Sequence, residues 1–351
     1  MTPNLLSKLR MMDAEPKKQA AAPLAPREDG VYHAQTLVPL TTFCDQRHAE
    51  SSVLESIFGC PFPSRIAPED ILFLDTETTG LSGGAGTIAF EIGIGYFVEG
   101  GFAVEQFLMR DYPYEAEMLK TLASRMSRYP VLCTFNGRTF DVPLLKSRFL
   151  MNRIGDESIP DTHADVLYPA RRLWKLRLKQ CTLSNLEAQL LGVCRDDDLP
   201  GAEVPQTFFH YLKSGDFSPL ERVLEHNRQD IVSLAQLFYF LCRQVDKPEE
   251  MTNEQDLLSL ARAMEKRGDT AKAAKCYRLC AHGDTRAEAF RSLAVSSRRH
   301  GNVDAAIKLY QAMIARGDDA VNAYEALAKL YEHQRREPEQ ALHFARADFS
   351  P

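Results

Sequence analysis

Three acidic motifs could do chemistry together. Asp75 and Glu77 close the apolar run Ile71-Leu72-Phe73-Leu74. Residues two apart on a strand project to one face, so the two carboxylates would point together. Adjacent carboxylates oppose each other's ionisation unless a cation or proton lies between them, and a divalent metal resolves that conflict. Taken alone, Asp-x-Glu is a common pair that also suits a solvated strand end. Asp141 is predicted to open a helix after the turn Asn136-Gly137-Arg138. By itself an Asp in a first helical turn is more often a cap or a partner of the helix dipole. His226 and Asp230 are four apart and share one face of a long helix. Val223, Leu224, Ile231, Leu234 and Leu237 make that helix apolar around them, which favours a functional pair or a buried ion pair over a solvated one.

These residues need a frame. The apolar run at 71–74 predicts a buried strand, followed by strands over 87–98 and 102–109 around the turn Glu99-Gly100-Gly101, a hairpin signal. A Gly-rich link, Gly83-Gly84-Ala85-Gly86, separates the first two. A helix over 115–126, a strand over 131–135 and a helix over 140–151 follow, with Pro143 tolerated in the last one's first turn. Helices then dominate, over 166–174, 183–191, 205–213 and 219–245. An antiparallel start followed by strand–helix alternation predicts an α/β fold, a mixed sheet flanked by helices. Upstream, a strand over 31–40 and a helix over 51–58 carry no functional signal, and residues 1–30, rich in Ala, Pro and charge from 13 on, read as a disordered leader.

Residues 251–351 contain a repeat. Leu260-Ala261, Leu293-Ala294 and Leu327-Ala328 recur at steps of 33 and 34, and Gly268/Gly301, Ala273/Ala306 and Tyr277/Tyr310/Phe344 follow. This spacing resembles the tetratricopeptide repeat, although generic helical hairpins predict nearly the same shape. The third copy is degenerate, with Arg335 in place of the glycine and its alanine displaced to Ala341. The predicted organisation is therefore an extension over 31–68, a catalytic domain over 69–246 and an all-α repeat domain over 251–351.

Composition sets bounds. With 44% hydrophobic and 26% charged residues the chain is an ordinary soluble globular protein. Its net charge of −6 lacks the basic excess that announces nucleic-acid binding, but leaves room for a local basic surface beside an acidic centre. The eight scattered cysteines read as reduced thiols, a cytoplasmic trait. Lys8 and Arg10 break the weak apolar stretch near the N-terminus, which does not read as a signal peptide, and no membrane association is expected.

In this order, Phe73-Leu74-Asp75-Thr76-Glu77-Thr78-Thr79-Gly80-Leu81, Phe135-Asn136-Gly137-Arg138-Thr139-Phe140-Asp141-Val142-Pro143-Leu144-Leu145 and His226-x-x-x-Asp230 resemble the three exonuclease motifs of the DnaQ-like (DEDD) superfamily. The combination with repeats, and the stretch Leu199-Pro200-Gly201-Ala202-Glu203-Val204-Pro205, is similar to its YprB-type ribonuclease H-like family. The resemblance covers about residues 69–246. It implies a ribonuclease H-like fold and a 3′–5′ exonuclease, with DNA favoured over RNA and a place in DNA repair or nucleic-acid processing. Asp75, Glu77, Asp141 and Asp230 would hold two Mg²⁺ or Mn²⁺ ions, roughly 3.5–4 Å apart, and His226 would be the general base. One departure stands out. Three residues separate His226 from Asp230, the spacing of the tyrosine-type motif, where the histidine type has four.

The expected partners are a nucleic acid with a free 3′ end and a protein bound through the repeats. Thr78, Thr79, Gly80 and Asn136 are candidates for the substrate end. Arg171, Arg172, Lys175, Arg177 and Lys179, with Trp174 among them, would suit phosphate tracking and base stacking, and equally suit an amphipathic helix with a solvated face. Asp196-Asp197-Asp198 reads as a solvated acidic loop. The competing reading is a nucleic-acid-binding or partner-recruiting scaffold with a weak nuclease site, against which the complete set of four carboxylates argues.

Overall fold

The computed structural model describes residues 30–43, 50–80, 86–195, 199–280 and 282–347. The proposed leader apart from Gly30, Cys44, Leu81, Gly83-Gly84-Ala85 and Asp196-Asp197-Asp198 lie outside them.

Among the described residues, six strands form one mixed sheet: β1 (Val31–Pro39), β2 (Ile71–Thr78), β3 (Ala89–Val98), β4 (Gly101–Met109), β5 (Val131–Thr134) and β6 (Thr162–Asp165). Their spatial order is β1-β4-β3-β2-β5-β6. The β1/β4, β4/β3 and β3/β2 pairs are antiparallel, whereas β2/β5 and β5/β6 are parallel. The N-terminal extension thus supplies an edge strand, ending at Pro39, a residue that edges tolerate because it has no N–H to donate. The sequence reading missed β6. Four residues, Thr-His-Ala-Asp, carry no alternating apolar signal, and only their pairing with β5 makes them a strand.

Alternation along β2 sorts its residues between two helical layers. Ile71 and Phe73 share a core with α1 (Ser51–Phe58), α4 (Leu167–Leu178) and the C-terminal part of α7 (Ser218–Asp246). Leu72 and Leu74 pack with α2 (Glu115–Met126), α3 (Asp141–Met151) and α6 (Val204–Ser214). Continuing that alternation, Asp75 and Glu77 fall on the α7 side.

The span 183–191, expected as one helix, is a short α5 (Leu183–Leu186) passing into a π-turn over Glu187–Leu191. The wider turn lets Glu187 point inward, where it is buried.

Beyond residue 250 the chain forms α8 (Glu254–Lys266), α9 (Thr270–Leu279), α10 (Arg286–Arg299), α11 (Val303–Arg316), α12 (Ala320–Leu330) and α13 (Pro338–Ala347). Gly268 and Gly301, at φ +84° and +79°, make the left-handed turns that reverse the first two hairpins. Ala261, Ala273, Ala294 and Ala306 are all buried at the helix contacts.

The first hairpin shares the main core. Leu260, Ala263 and Met264 of α8 close against Leu173 of α4, Leu241 and Val245 of α7 and Ile57 of α1. Arg177 grips Asp256 with two nitrogens at 2.7–3.0 Å. From α11 onward the helices belong to a separate apolar cluster. No disulfide joins any of the described cysteines. Among the described residues, no helix is long and apolar enough to cross a membrane.

Candidate functional site

On β2, a strand otherwise buried, only Asp75 and Glu77 are partly open. Pairing with β3 continues to Glu77↔Glu91 and then slips past Phe90, so that the strand pair bends beside Glu77. Asp141 is the first residue of α3, and its carboxylate accepts Thr76 Oγ1 at 2.5 Å. The second motif thereby reaches β2 from the opposite helical layer. α7 brings the third. His226 Nε2 lies 3.8 Å from Glu77 Oε1 and 3.6 Å from Asp230 Oδ2. Asn227 Nδ2 donates to Asp75 Oδ2 at 3.0 Å.

The electrostatics follow from crowding. Burial, then the charges of Asp230, Asp141 and Glu77, push the Asp75 carboxyl well above its ordinary range. Burial, then Glu91, Asp230 and Asp141, do the same to Glu77, with Arg195 opposing. Burial lifts Asp141 to about 6, against the bond from Thr76. Each value records a preference for neutralisation, by protons or by a cation.

The donor set fits a divalent cation. Glu77, His226 and Asp230 each offer a ligand atom within 4.8 Å of the other two, and carboxylate oxygens suit hard ions.

Four participants escaped the sequence reading. Glu91 is fully buried beside Glu77, pushed up by burial and then by Asp75. A lone charge in the apolar strand Ala89–Val98 was a visible signal for it. Arg195 is anchored on Glu187 at 2.5 and 2.8 Å, bonds Asp230 Oδ1, and places Nη1 3.3 Å from His226 Nδ1. Burial disfavours its charge, but the bonds to Glu187 and Asp230 hold its pKa above the ordinary value. Asn227 is the third. Asp165 is the fourth: it accepts the backbone N–H groups of Asn136 and Arg138, both at 2.9 Å, and so fixes the turn that precedes Asp141.

The expected substrate residues divide. Thr78 Oγ1 donates to Gly80 O, and Thr79 is pinned to Ile88 through backbone and side chain, which orders the segment after Glu77. Asn136 holds φ +68°, a left-handed conformation that Asn accepts more readily than most residues. The basic stretch needs correction. Trp174 is buried in the core and cannot stack on bases, and Arg177 is committed to Asp256. Arg172 donates to Ile57 O on α1, while Arg171 and Lys175 are exposed. Among the described residues, no ion pair joins Arg171, Arg172 or Lys175 to the acidic group.

A model described as RNase_H superfamily matches residues 72–242, from β2 into α7, and encloses all three motifs. The "Uncharacterized protein YprB" of Bacillus subtilis (strain 168) is 30% identical over 288 residues, which is 80% of this chain and 69% of that protein. The chain belongs to the RNase_H superfamily. As a member it carries a fold of nuclease hydrolases, and the superfamily ordinarily works with divalent metal ions. Among solved structures, the family B DNA polymerase from the hyperthermophilic archaeon Pyrobaculum calidifontis aligns at a TM-score of 0.39 and 13% identity, over 56% of this chain and 29% of that one. That likeness is too slight to bear on activity.

Proposed function

We propose that this protein is a metal-dependent 3′–5′ exonuclease that hydrolyses phosphodiester bonds of nucleic acid, DNA in preference to RNA. The observation that carries the reading is convergence. Three motifs, far apart in sequence and on different elements, converge so that the charges of Asp141 and Asp230 both raise the proton affinity of Asp75 and of Glu77. These four would hold Mg²⁺ or Mn²⁺, two such ions supplying water activation and charge neutralisation on the leaving 3′ oxygen. His226, with Nε2 turned toward Glu77 and Asp230, is the proposed proton acceptor, and its loss is expected to cost about 10²–10⁴-fold. Thr78, Thr79, Gly80 and Asn136, at the ends of the strands that carry or precede the acidic residues, would receive the terminal nucleotide, and exposed Arg171 and Lys175 the strand beyond. In this reading residues 69–246 carry the nuclease residues, on a core that β1, α1 and α8 complete. The helical hairpins, as tetratricopeptide-like repeats, would engage a protein partner.

Hydrolysis at an acidic metal centre is indifferent to chain position, so polarity must come from a pocket that admits a free end. The test is digestion of a linear strand, a 3′-blocked strand and a covalently closed circle, each as DNA and as RNA. The linear DNA strand is expected to shorten from its 3′ end while the other two DNA forms persist. A circle cut as fast as the linear strand would make the enzyme an endonuclease.

A further inference from the structure

We infer that Asn227 is a positioning residue for Asp75, aimed by Gln106 across a gap that Gly93 leaves in the sheet. The inference rests on the reading of Asp75 as a metal ligand. Asp75 pairs with Gly93 on β3, and Gly93 with Gln106 on β4. The three make one row across the sheet, on the face that meets α7. Gly93 adds no side chain to the row, and the Asn227 amide lies in the space it leaves. A Cβ on Gly93 would stand 2.0 Å from Asn227 Oδ1 and 3.0 Å from Nδ2. One turn along α7, Ile231 lies over Gly95 in the same way, with Cγ2 2.4 Å from the Cβ that position would carry. α7 is therefore seated on two glycines, and the depth of that seat decides where Asn227 sits.

The neighbours set the polarity of this bridge. Gln106 Nε2 donates to Glu91 Oε1 at 2.8 Å and to Leu224 O at 2.7 Å, and lies 3.2 Å from Asn227 Oδ1. Two hydrogens on Gln106 serve these three acceptors, the bond to Asn227 being the longest and shared; since an amide nitrogen cannot accept, Asn227 turns its oxygen to Gln106 and its nitrogen to Asp75. Reversed, the amide would set N–H against N–H at one end and oxygen against carboxylate at the other. Asn227 is fully buried, so water does not share these bonds, and Glu91, which anchors Gln106, keeps Oε2 without a hydrogen-bond partner. The result is a carboxylate held by a neutral donor on Oδ2, with Oδ1 left for a cation. A lysine or arginine there would neutralise the charge that the site needs. An amide orients that charge and preserves it.

Mn²⁺ alone, titrated calorimetrically into the full chain, tests the inference, with melting in chelator and kcat and KM on a short oligonucleotide measured alongside. Asn227→Leu removes the bridge at similar volume. Gln106→Met leaves Asn227 in place but removes the group that aims it. Gly93→Ala drives Asn227 from the gap. Each folded variant is expected to bind Mn²⁺ about 10–100-fold more weakly and to lose kcat with KM nearly unchanged. Should Asn227→Leu fail to fold, Gln106→Met decides. Mn²⁺ affinity within about twofold of wild type in the folded variants would overturn the inference, and nuclease activity in the wild type would then stand. Weakened Mn²⁺ binding in the variants of a wild type that cleaves nothing would uphold the positioning role and remove the nuclease reading. A wild type that binds no Mn²⁺ would overturn both.

Discussion

Asp141→Asn is expected to abolish cleavage while making the metal-free protein more stable at neutral pH. Burial holds this carboxyl at about 6, against about 3.9 for an unperturbed Asp. The sign follows from proton linkage. With a folded pKa above the unfolded one, the contribution to stability is complete below about pH 4 and is lost as pH rises through about 6. In chelator the wild-type melting temperature should therefore fall between pH 5 and pH 7, and Asp75 and Glu77, raised for similar reasons, add to the fall. Asn keeps the shape of Asp141 and still accepts from Thr76 Oγ1, but takes one charge out of the cluster. Its melting curve should be flatter across that range and higher at pH 7, by about 2–4 °C per kcal/mol relieved. Activity should drop by about 10³-fold or more, because several kcal/mol of transition-state stabilisation depend on each ligand charge. Asp75→Asn should behave alike. Unaltered cleavage in either variant, or a marked loss of chelator-state stability, would mean that the carboxylate is a structural group.

Removing residues 251–351 is expected to unfold the protein, whereas ending the chain at Gly317 should leave fold and basal cleavage in place. The repeat-like composition suggests a detachable tail, but the core runs through α8. Leu257, Leu258, Leu260 and Met264 are buried in the same cluster as Phe73, Leu173 and Val245. Each such side chain contributes about 1.5–3 kcal/mol when fully buried. Losing four, and uncovering their partners, removes an amount comparable to the whole stability of a domain, about 5–15 kcal/mol. By contrast the buried Ala323, Leu327 and Leu330 of α12 belong to the separate cluster of the last helices, against which Phe344 of α13 packs. Circular dichroism and cooperative melting of both truncations decide the matter. A cooperatively folded, active 1–250 fragment would refute the shared core.

The legible parts of the site were those written locally. An apolar run ending in Asp75-x-Glu77 announces a buried strand with an acidic end, and the helical period of α7 places His226 and Asp230 on one face. Pairing and loop path are written nowhere locally. β6 exists because β5 offers it an edge, and Asp165 matters only because the parallel register Thr134↔Asp165 brings it to the 136–138 turn. Arg195 reaches Asp230 through the loop that follows the π-turn, a path with no periodicity to read. The significance of Asn227 depends on the register of three strands at once. The stretch around Trp174 suited a nucleic-acid surface and an amphipathic helix equally, and the burial of the Trp174 ring decides for the helix.

The most direct test of the central claim is a time course with a 5′-labelled single-stranded DNA oligonucleotide and the purified full chain. Mg²⁺ or Mn²⁺ is supplied or chelated, and Asp75→Asn is run beside the wild type. The account predicts a descending ladder of products from the 3′ end with metal and wild type, and intact strand in the other lanes. Degradation that persists in chelator, or that Asp75→Asn carries out as fast as the wild type, would contradict it.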